Sequence, residues 1–281
     1  MKEKNILITG GNAGIGLATS ISLAKKDATI YIVSRNKEKA EAAVAQIKEE
    51  SKNNNIHYFL ADLSSQKSIR NLAQEINKKL TKLDILINNA GGVFSEFQLS
   101  EDGIEKTLAT NHFSFFLLTN LLLDLLKKSD AARIVNVSSD SHLKGKIDFD
   151  SFTQNKDYFI LKAYEQSKLA NVFFTQELAS RLKNSNITVN ALHPGFVNTN
   201  IGTKGTQWYA NWIWSLASKI GGLSVEKGAK TSIYLASSDE VKNITGKYFD
   251  KCKSVTPAAI TKDKKLQQEV WEVSEKLCPI I

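Results

Sequence analysis

The chain has 281 residues, 42% of them hydrophobic and 23% charged, which suits a globular protein with one sizeable core or at most two small domains. Its formal charge is +8, but the lysines are scattered without a long basic block, so the excess marks a solvated surface and no nucleic-acid partner is expected. Cys252 and Cys278 give no disulfide framework, and the four histidines lack metal-ligand spacing, so no metal is expected.

The first strand starts near Asn5, which points to a cytoplasmic chain with neither signal peptide nor N-terminal anchor. Short β-rich runs follow in order: Ile6 to Ile8, Thr29 to Val33, His57 to Leu60, Ile85 to Ile87, Ile134 to Val137 and Ile187 to Leu192. Near-continuous apolar strands separated by amphipathic segments imply a parallel sheet covered on both faces, because strands buried twice do not alternate polar and apolar residues. The fold class is therefore α/β, a doubly wound parallel sheet in a single domain. Helices are expected over Leu17 to Lys25, Phe113 to Lys128 and Ala163 to Leu182. The last two are poor in polar positions and suggest subunit packing in a homodimer or homotetramer. A strand near Lys247 to Asp250 closes the sheet, and 262–277 reads as a C-terminal surface helix.

After the first strand comes Gly10-Gly11-Asn12-Ala13-Gly14-Ile15-Gly16, then a helical run. Such a turn lets backbone approach a pyrophosphate at a helix start whose N–H groups and dipole favour an anion. The Lys-Ser/Thr of a nucleoside-triphosphate loop is absent, which argues against kinase or ATPase chemistry. At the end of the second strand, Ser34-Arg35 stands where an NAD-binding chain carries a carboxylate. The guanidinium suits a 2′-phosphate, although Arg35 also reads as an exposed helix-start residue.

The Thr9-Gly10 turn, with Gly14 and Gly16, resembles the signature of the short-chain dehydrogenase/reductase family. Further matches follow in order: Asp62-Leu63, Asn88-Asn89-Ala90-Gly91, Asn111, Ser138-Ser139, Tyr164 with Lys168, and Pro194-Gly195. The resemblance implies a Rossmann fold binding NADP(H), with cofactor contacts from Gly10, Asn12, Ala13, Gly14, Ile15, Gly16, Arg35, Asn36, Asp62, Leu63, Asn89, Ala90 and Gly91. Tyr164, Lys168, Pro194, Gly195, Val197 and Thr199 complete that set. Asp62 also suits a cap for a helix starting near Ser64.

Tyr164 and Lys168, four residues apart in a helical segment, project from one face. A phenol titrating near 10 is a poor base at neutrality; the neighbouring ammonium and an oxidised nicotinamide are expected to lower it by about three units. By resemblance Tyr164 is the acid/base, Ser139 rather than Ser138 binds the reacting oxygen, and Asn111 holds a water linked to Lys168. His193 reads as structural. The 25-residue interval from Ser139 to Tyr164, with Gly246-Lys247-Tyr248-Phe249, is similar to the retinol dehydrogenase branch. That implies a hydrophobic carbonyl or alcohol substrate, although Glu165-Gln166 departs from the branch's frequent Cys-His; a non-catalytic NADP(H)-binding regulator on the same fold, or a reductase of steroids, ketoacyl thioesters or quinones, is the alternative reading. Trp208, Trp212, Leu216 and Ile220 recur at four-residue steps in 199–223. This stripe reads as a helical substrate lid, with core packing, a partner subunit or peripheral membrane contact as alternatives.

Overall fold

The computed structural model describes residues 1–155, 157–195 and 224–280. The expected lid, with Val197 and Thr199, lies outside the described residues. The first half alternates β1 (Asn5–Thr9), α1 (Gly14–Ala24), β2 (Thr29–Ser34), α2 (Lys37–Ser51), β3 (Ile56–Leu60), α3 (Gln66–Lys79) and β4 (Ile85–Asn88). The short helices α4 (Lys106–Leu108), α5 (Ser114–Leu121) and α6 (Leu123–Lys127) follow, then β5 (Ala132–Val137), α7 (Ile160–Arg181) and β6 (Ile187–Leu192). The chain closes with α8 (Val225–Ser237), β7 (Tyr248–Asp250), β8 (Lys253–Val255) and α9 (Lys264–Leu277).

Strand order is 3-2-1-4-5-6-7-8, parallel through β7 with β8 antiparallel at the edge. Alternate residues of one strand serve different cores, which explains the unbroken apolar runs. Ile6 and Ile8 pack with Leu23, Ile47 and Leu235 on one face, while Leu7 joins Ile76 and Phe116 on the other. The order reverses between β1 and β4, so their carboxyl ends open a crevice of the kind in which doubly wound sheets bind ligands.

The apolar run at 113–128 is not one helix. A π turn over Ala109–Phe113 leads into α5, and the chain breaks at Leu122 before α6. The sequence reading also missed β8. Its two-residue hairpin places Lys251 and Cys252 at φ 47° and 63°, left-handed positions usually advertised by Asn or Gly.

The C-terminal helix begins at Lys264, capped by Asp263, whose side chain accepts from the Leu266 N–H at 3.0 Å. It is not merely a surface helix. Trp271 is 5% exposed, lies edge-on to Phe116 and stacks on Phe174, and the Arg181 guanidinium sits 4.1 Å above its ring. This helix covers α7 and the π turn, and α5 buries Phe115 to Leu118 within the chain. The apolar character of α5 and α7 therefore needs no second subunit to explain it. Among the described residues, no helix is long and apolar enough to cross a membrane.

His112 joins the π turn to this cover, with Nε2 2.8 Å from Ser274 Oγ and Nδ1 3.3 Å from Asn171 Oδ1. Full burial lowers its pKa to about 4. Between the ordinary histidine value near 6.5 and this lowered one, the unfolded chain binds a proton that the native chain does not. The stabilisation is therefore complete above about pH 6.5 and fades as pH falls toward 4, by up to about 3 kcal/mol. Urea midpoints measured from pH 7 to 4 should fall less steeply for His112→Gln than for the parent; parallel curves would reject this account.

Candidate active site

The turn between β1 and α1 is shaped by close backbone approach. A Cβ on Gly16 would sit 2.2 Å from the Gly10 carbonyl oxygen, and Gly10 itself has φ 66°. Ala13 offers α1 no side-chain cap, so the first-turn amides keep their pull on an anion. Thr9 Oγ1 accepts from the Asn89 and Ala90 amides at 2.9 and 3.0 Å, and Asn89 Nδ2 donates to the Thr9 carbonyl at 2.8 Å. These bonds join the ends of β1 and β4.

A cavity of about 330 Å³ opens above this junction. It brings together Gly10, Asn12, Arg35, Asp62, Leu63, Ala90 and Gly91. Ala13 to Gly16 shape the turn behind them, and Asn36 lies outside the lining, its side chain capping α2 by accepting from the Lys39 N–H at 2.8 Å. Arg35 Nη1, largely exposed, stands 3.8 Å from Oδ2 of the half-buried Asp62. Asp62 Oδ1 accepts from the amide and hydroxyl of Ser64, and the cap of α3 is Ser65, so Asp62 braces a turn rather than starting the helix. Burial opposes the Asp62 charge, yet the Ser64 bonds, Arg35 and Lys106 together hold its carboxyl below the usual carboxylate range.

The sequence reading missed Phe94, Gln98, Lys106 and Thr110 in this lining. Lys106 Nζ donates to Gln98 Oε1 at 3.1 Å and sits 5.1 Å above Phe94, an arrangement no local spacing announces. Thr110 Oγ1 is buried without a partner among the described residues. An uncapped helix start, an accessible guanidinium and an orphaned hydroxyl around one cavity fit a dinucleotide.

Beyond Gly91, which lines the cavity and approaches Lys168, the residues Ser138, Ser139, Tyr164 and Lys168 converge. Ser138 Oγ donates to the Lys168 carbonyl at 2.7 Å, and Lys168 Nζ donates to the Val137 carbonyl at 3.0 Å. Ser138 is thereby committed to structure. Ser139 hydrogen-bonds the Tyr164 side chain, and Lys168 Nζ lies 5.5 Å from the centre of the Tyr164 ring. Asn111 Nδ2 donates to the Gly92 carbonyl and Ser167 Oγ, while its Oδ1 accepts from the Gly92 amide. Its backbone carbonyl takes the Asn171 side-chain amide at 2.9 Å. Gly91 fills the space between Asn111 and Lys168, since a Cβ there would lie 3.3 Å from Asn111 Oδ1 and 3.6 Å from Lys168 Nζ.

Electrostatics depart from the expectation of an acidified phenol. Burial pushes Tyr164 up to about 12, the Ser139 bond pulls it back, and the Asp140 charge raises it further. Burial also brings Lys168 down to about 8. Desolvation is the largest influence on both groups, so the chain alone keeps the phenol protonated at neutrality while its lysine titrates near 8.

Several tethers hold the long segment between Ser139 and Tyr164, among them the Glu105 amide on the Phe152 carbonyl at 2.7 Å. Tyr158 donates its hydroxyl to the Phe94 carbonyl at 2.6 Å, and Gln166 accepts from the Asp148 amide and donates to Ser151. His193 Nδ1 accepts from the Gly195 amide at 3.0 Å, and its Nε2 faces Asp250 at 3.1 Å, so it fixes the loop carrying Pro194 and Gly195.

The family model for short chain dehydrogenase matches residues 4–210. The chain belongs to the short chain dehydrogenase family. It groups with the retinol dehydrogenase branch, being 41% identical to Retinol dehydrogenase 13 of Homo sapiens across 98% of this chain and 84% of that protein. Identity to Retinol dehydrogenase 12 of Mus musculus is 40% over 99% of this chain and 87% of the relative. A solved structure from Mycobacterium paratuberculosis superposes with TM-score 0.79 at 31% identity, covering 99% of this chain and 94% of that one. The Pseudomonas aeruginosa RhlG/NADP active-site complex gives TM-score 0.70 at 26% identity, covering 89% and 94%. The dehydrogenase is thus an oxidoreductase acting on CH–OH/C=O pairs with a nicotinamide cofactor.

Keeping an ammonium at Lys168, 3% exposed, works against folding. Its native pKa lies below the unfolded value, so the cost is full below about pH 8 and disappears above about pH 10.5, amounting to about 3 kcal/mol at neutrality. Lys168→Met removes that buried charge but leaves the Val137 carbonyl without its donor, so the two effects oppose one another. The melting temperature at pH 7 should therefore stay within a few degrees of the parent while turnover falls about 10²-fold or more. Differential scanning calorimetry with an activity assay checks both, and a variant melting well below the parent contradicts the ledger for this residue.

Proposed function

We propose that this dehydrogenase uses NADP(H) and interconverts hydrophobic aldehydes or ketones with their alcohols, Tyr164 exchanging the proton. The observation that carries this reading is the grouping of Ser139, Tyr164 and Lys168 next to Gly91, which lines the same cavity as Arg35. No carboxylate follows β2: Ser34 ends the strand, and Asp62 stands beside Arg35 as its counter-ion. A 2′-phosphate has more charge with which to recruit that guanidinium, and bidentate pairing suits it. The RhlG relative is a complex with NADP, and the similar curated proteins include several retinol dehydrogenases, which favours an apolar substrate.

When bound, the nicotinamide supplies or accepts the hydride. In reduction, Ser139 donates to the substrate carbonyl oxygen and stabilises the charge that develops there. Tyr164, protonated at neutrality because burial holds it near 12, gives its proton to that oxygen. The Lys168 ammonium then faces the phenolate and lowers the cost of forming it. Asn111 holds the Gly92 loop against Lys168 and keeps the pair in register. Oxidation runs the same proton path backwards. Lys168 and Tyr164 would hold the nicotinamide ribose; Val197 and Thr199 belong to the proposed cofactor contacts as well.

Two measurements test the reading. NADPH consumption across a panel of medium-chain and polyene aldehydes should show turnover in the parent and a fall of about 10²-fold or more in Tyr164→Phe; equal rates would remove Tyr164 from the chemistry. Arg35→Asp should shift the ratio of kcat/KM values from NADPH toward NADH by about tenfold or more, the worth of one charge-assisted contact. An unchanged ratio would defeat the assignment of Arg35.

A further inference from the structure

We propose that His142 is a positioning residue for the Ser139 hydroxyl, and that through it the C-terminal segment at Ala258 sets the geometry of the reaction centre. This inference rests on Ser139 being the group that binds the reacting oxygen. His142 is 1% exposed and stands in the short helical turn that Ser139 opens. Its Nδ1 lies 2.7 Å from the Ser139 carbonyl oxygen, and its Nε2 lies 3.1 Å from the Ala258 backbone nitrogen. A carbonyl can only accept and an amide N–H can only donate, so the two partners select one neutral tautomer with the proton on Nδ1. Burial, with His193 nearby, holds the His142 pKa below its ordinary value and keeps that tautomer neutral, against the opposing influence of the Ser139 bond and Asp140.

The Ser139 carbonyl receives a second donor, the His142 amide at 3.1 Å. Its peptide plane is therefore held from two directions, and the Ser139 side chain is held by the Ser141 amide at 3.2 Å. The imidazole packs against Tyr248 at a tilt of 46°, ring centres 4.4 Å apart, and Tyr248 is in turn parallel to His193 at 6.5 Å. His193 carries the opposite tautomer, accepting at Nδ1 from Gly195 and facing Asp250 with Nε2. Three packed rings thus span the loop after β5, the loop after β6 and strand β7. His142 sits where that row meets the reaction centre, 116 residues before its partner Ala258.

The side-chain amide nitrogen of asparagine overlays imidazole Nδ1, while the glutamine amide reaches only the Nε2 position. His142→Asn therefore keeps the donor to Ser139, His142→Gln keeps only the contact toward Ala258, and His142→Phe keeps the ring on Tyr248 with neither bond. Each is compared with the parent for kcat using the aldehyde that the parent turns over fastest, for KM of NADPH, and for melting temperature. His142→Phe and His142→Gln should lose about ten- to a hundredfold in kcat with KM for NADPH within about twofold, and His142→Asn should recover most of that loss. A loss of activity that tracks melting temperature equally in all three, or parental kcat in His142→Phe, overturns the proposal. Ser139→Ala, run alongside, separates the levels. If it is inactive while His142→Phe turns over at the parental rate, only the positioning role fails; if Ser139→Ala is as fast as the parent, the role of Ser139 fails and the positioning role with it.

Discussion

Two reciprocal hydrogen bonds between the end of β5 and α7 organise the active site. Ser138 Oγ holds the Lys168 carbonyl, and Lys168 Nζ holds the Val137 carbonyl. Both donors are buried, at 2% and 3% exposure, so leaving either bond unmade would strand a polar group away from water. Ser139 follows Ser138 by one residue and Tyr164 precedes Lys168 by one helical turn. Fixing the first pair therefore places the second pair within hydrogen-bond reach, and no freedom remains for the helix to slide along the strand.

Further polar pairs extend that register across the molecule. Asn88 Nδ2 donates to Thr119 and to Asn136, and Asn136 passes its own amide to Thr175 on α7. Asn171 links α7 to the π turn, and His112 links the π turn to α9. Each bond lies in the protein interior, where the low dielectric strengthens a satisfied pair and penalises an unsatisfied one. The π turn widens the helix where Asn111 must reach Gly92 while offering its carbonyl to Asn171. Buried amides thus fix the alignment of layers that hydrophobic contact alone would leave loosely specified.

Burial also governs the chemistry. The sequence pairs a phenol with an ammonium and invites the inference that attraction lowers the phenol. In the folded chain, desolvation raises Tyr164 and lowers Lys168, so both groups favour their neutral forms more than they do in water. A protonated Tyr164 is the form that carbonyl reduction consumes, and a lysine titrating near 8 lies close to working pH.

The strands, the glycine turn and the Tyr164/Lys168 spacing were legible in the sequence because they depend on local backbone geometry. Residue alternation within β1, the helix start after Gly10 and the projection of residues four apart are set by neighbours along the chain. The two-sided burial of Ile6 to Ile8 was equally readable, since apolar residues without alternation leave a strand no face for water. Other features required contacts distant in sequence. The inner face of α9 depends on Phe116 and Phe174, the hairpin into β8 on left-handed Lys251 and Cys252, and the tautomer of His142 on Ala258. The direction of the Tyr164 and Lys168 shifts belongs to the same class, because solvent exclusion is a property of the packed layers and not of the helix that carries the two residues. Sequence alone determined the glycine turn, Arg35, Ser139, Tyr164 and Lys168 as the chemical groups of the dehydrogenase; tertiary structure decided which further side chains join them and how all are protonated, oriented and shielded, because those properties depend on what packs around them.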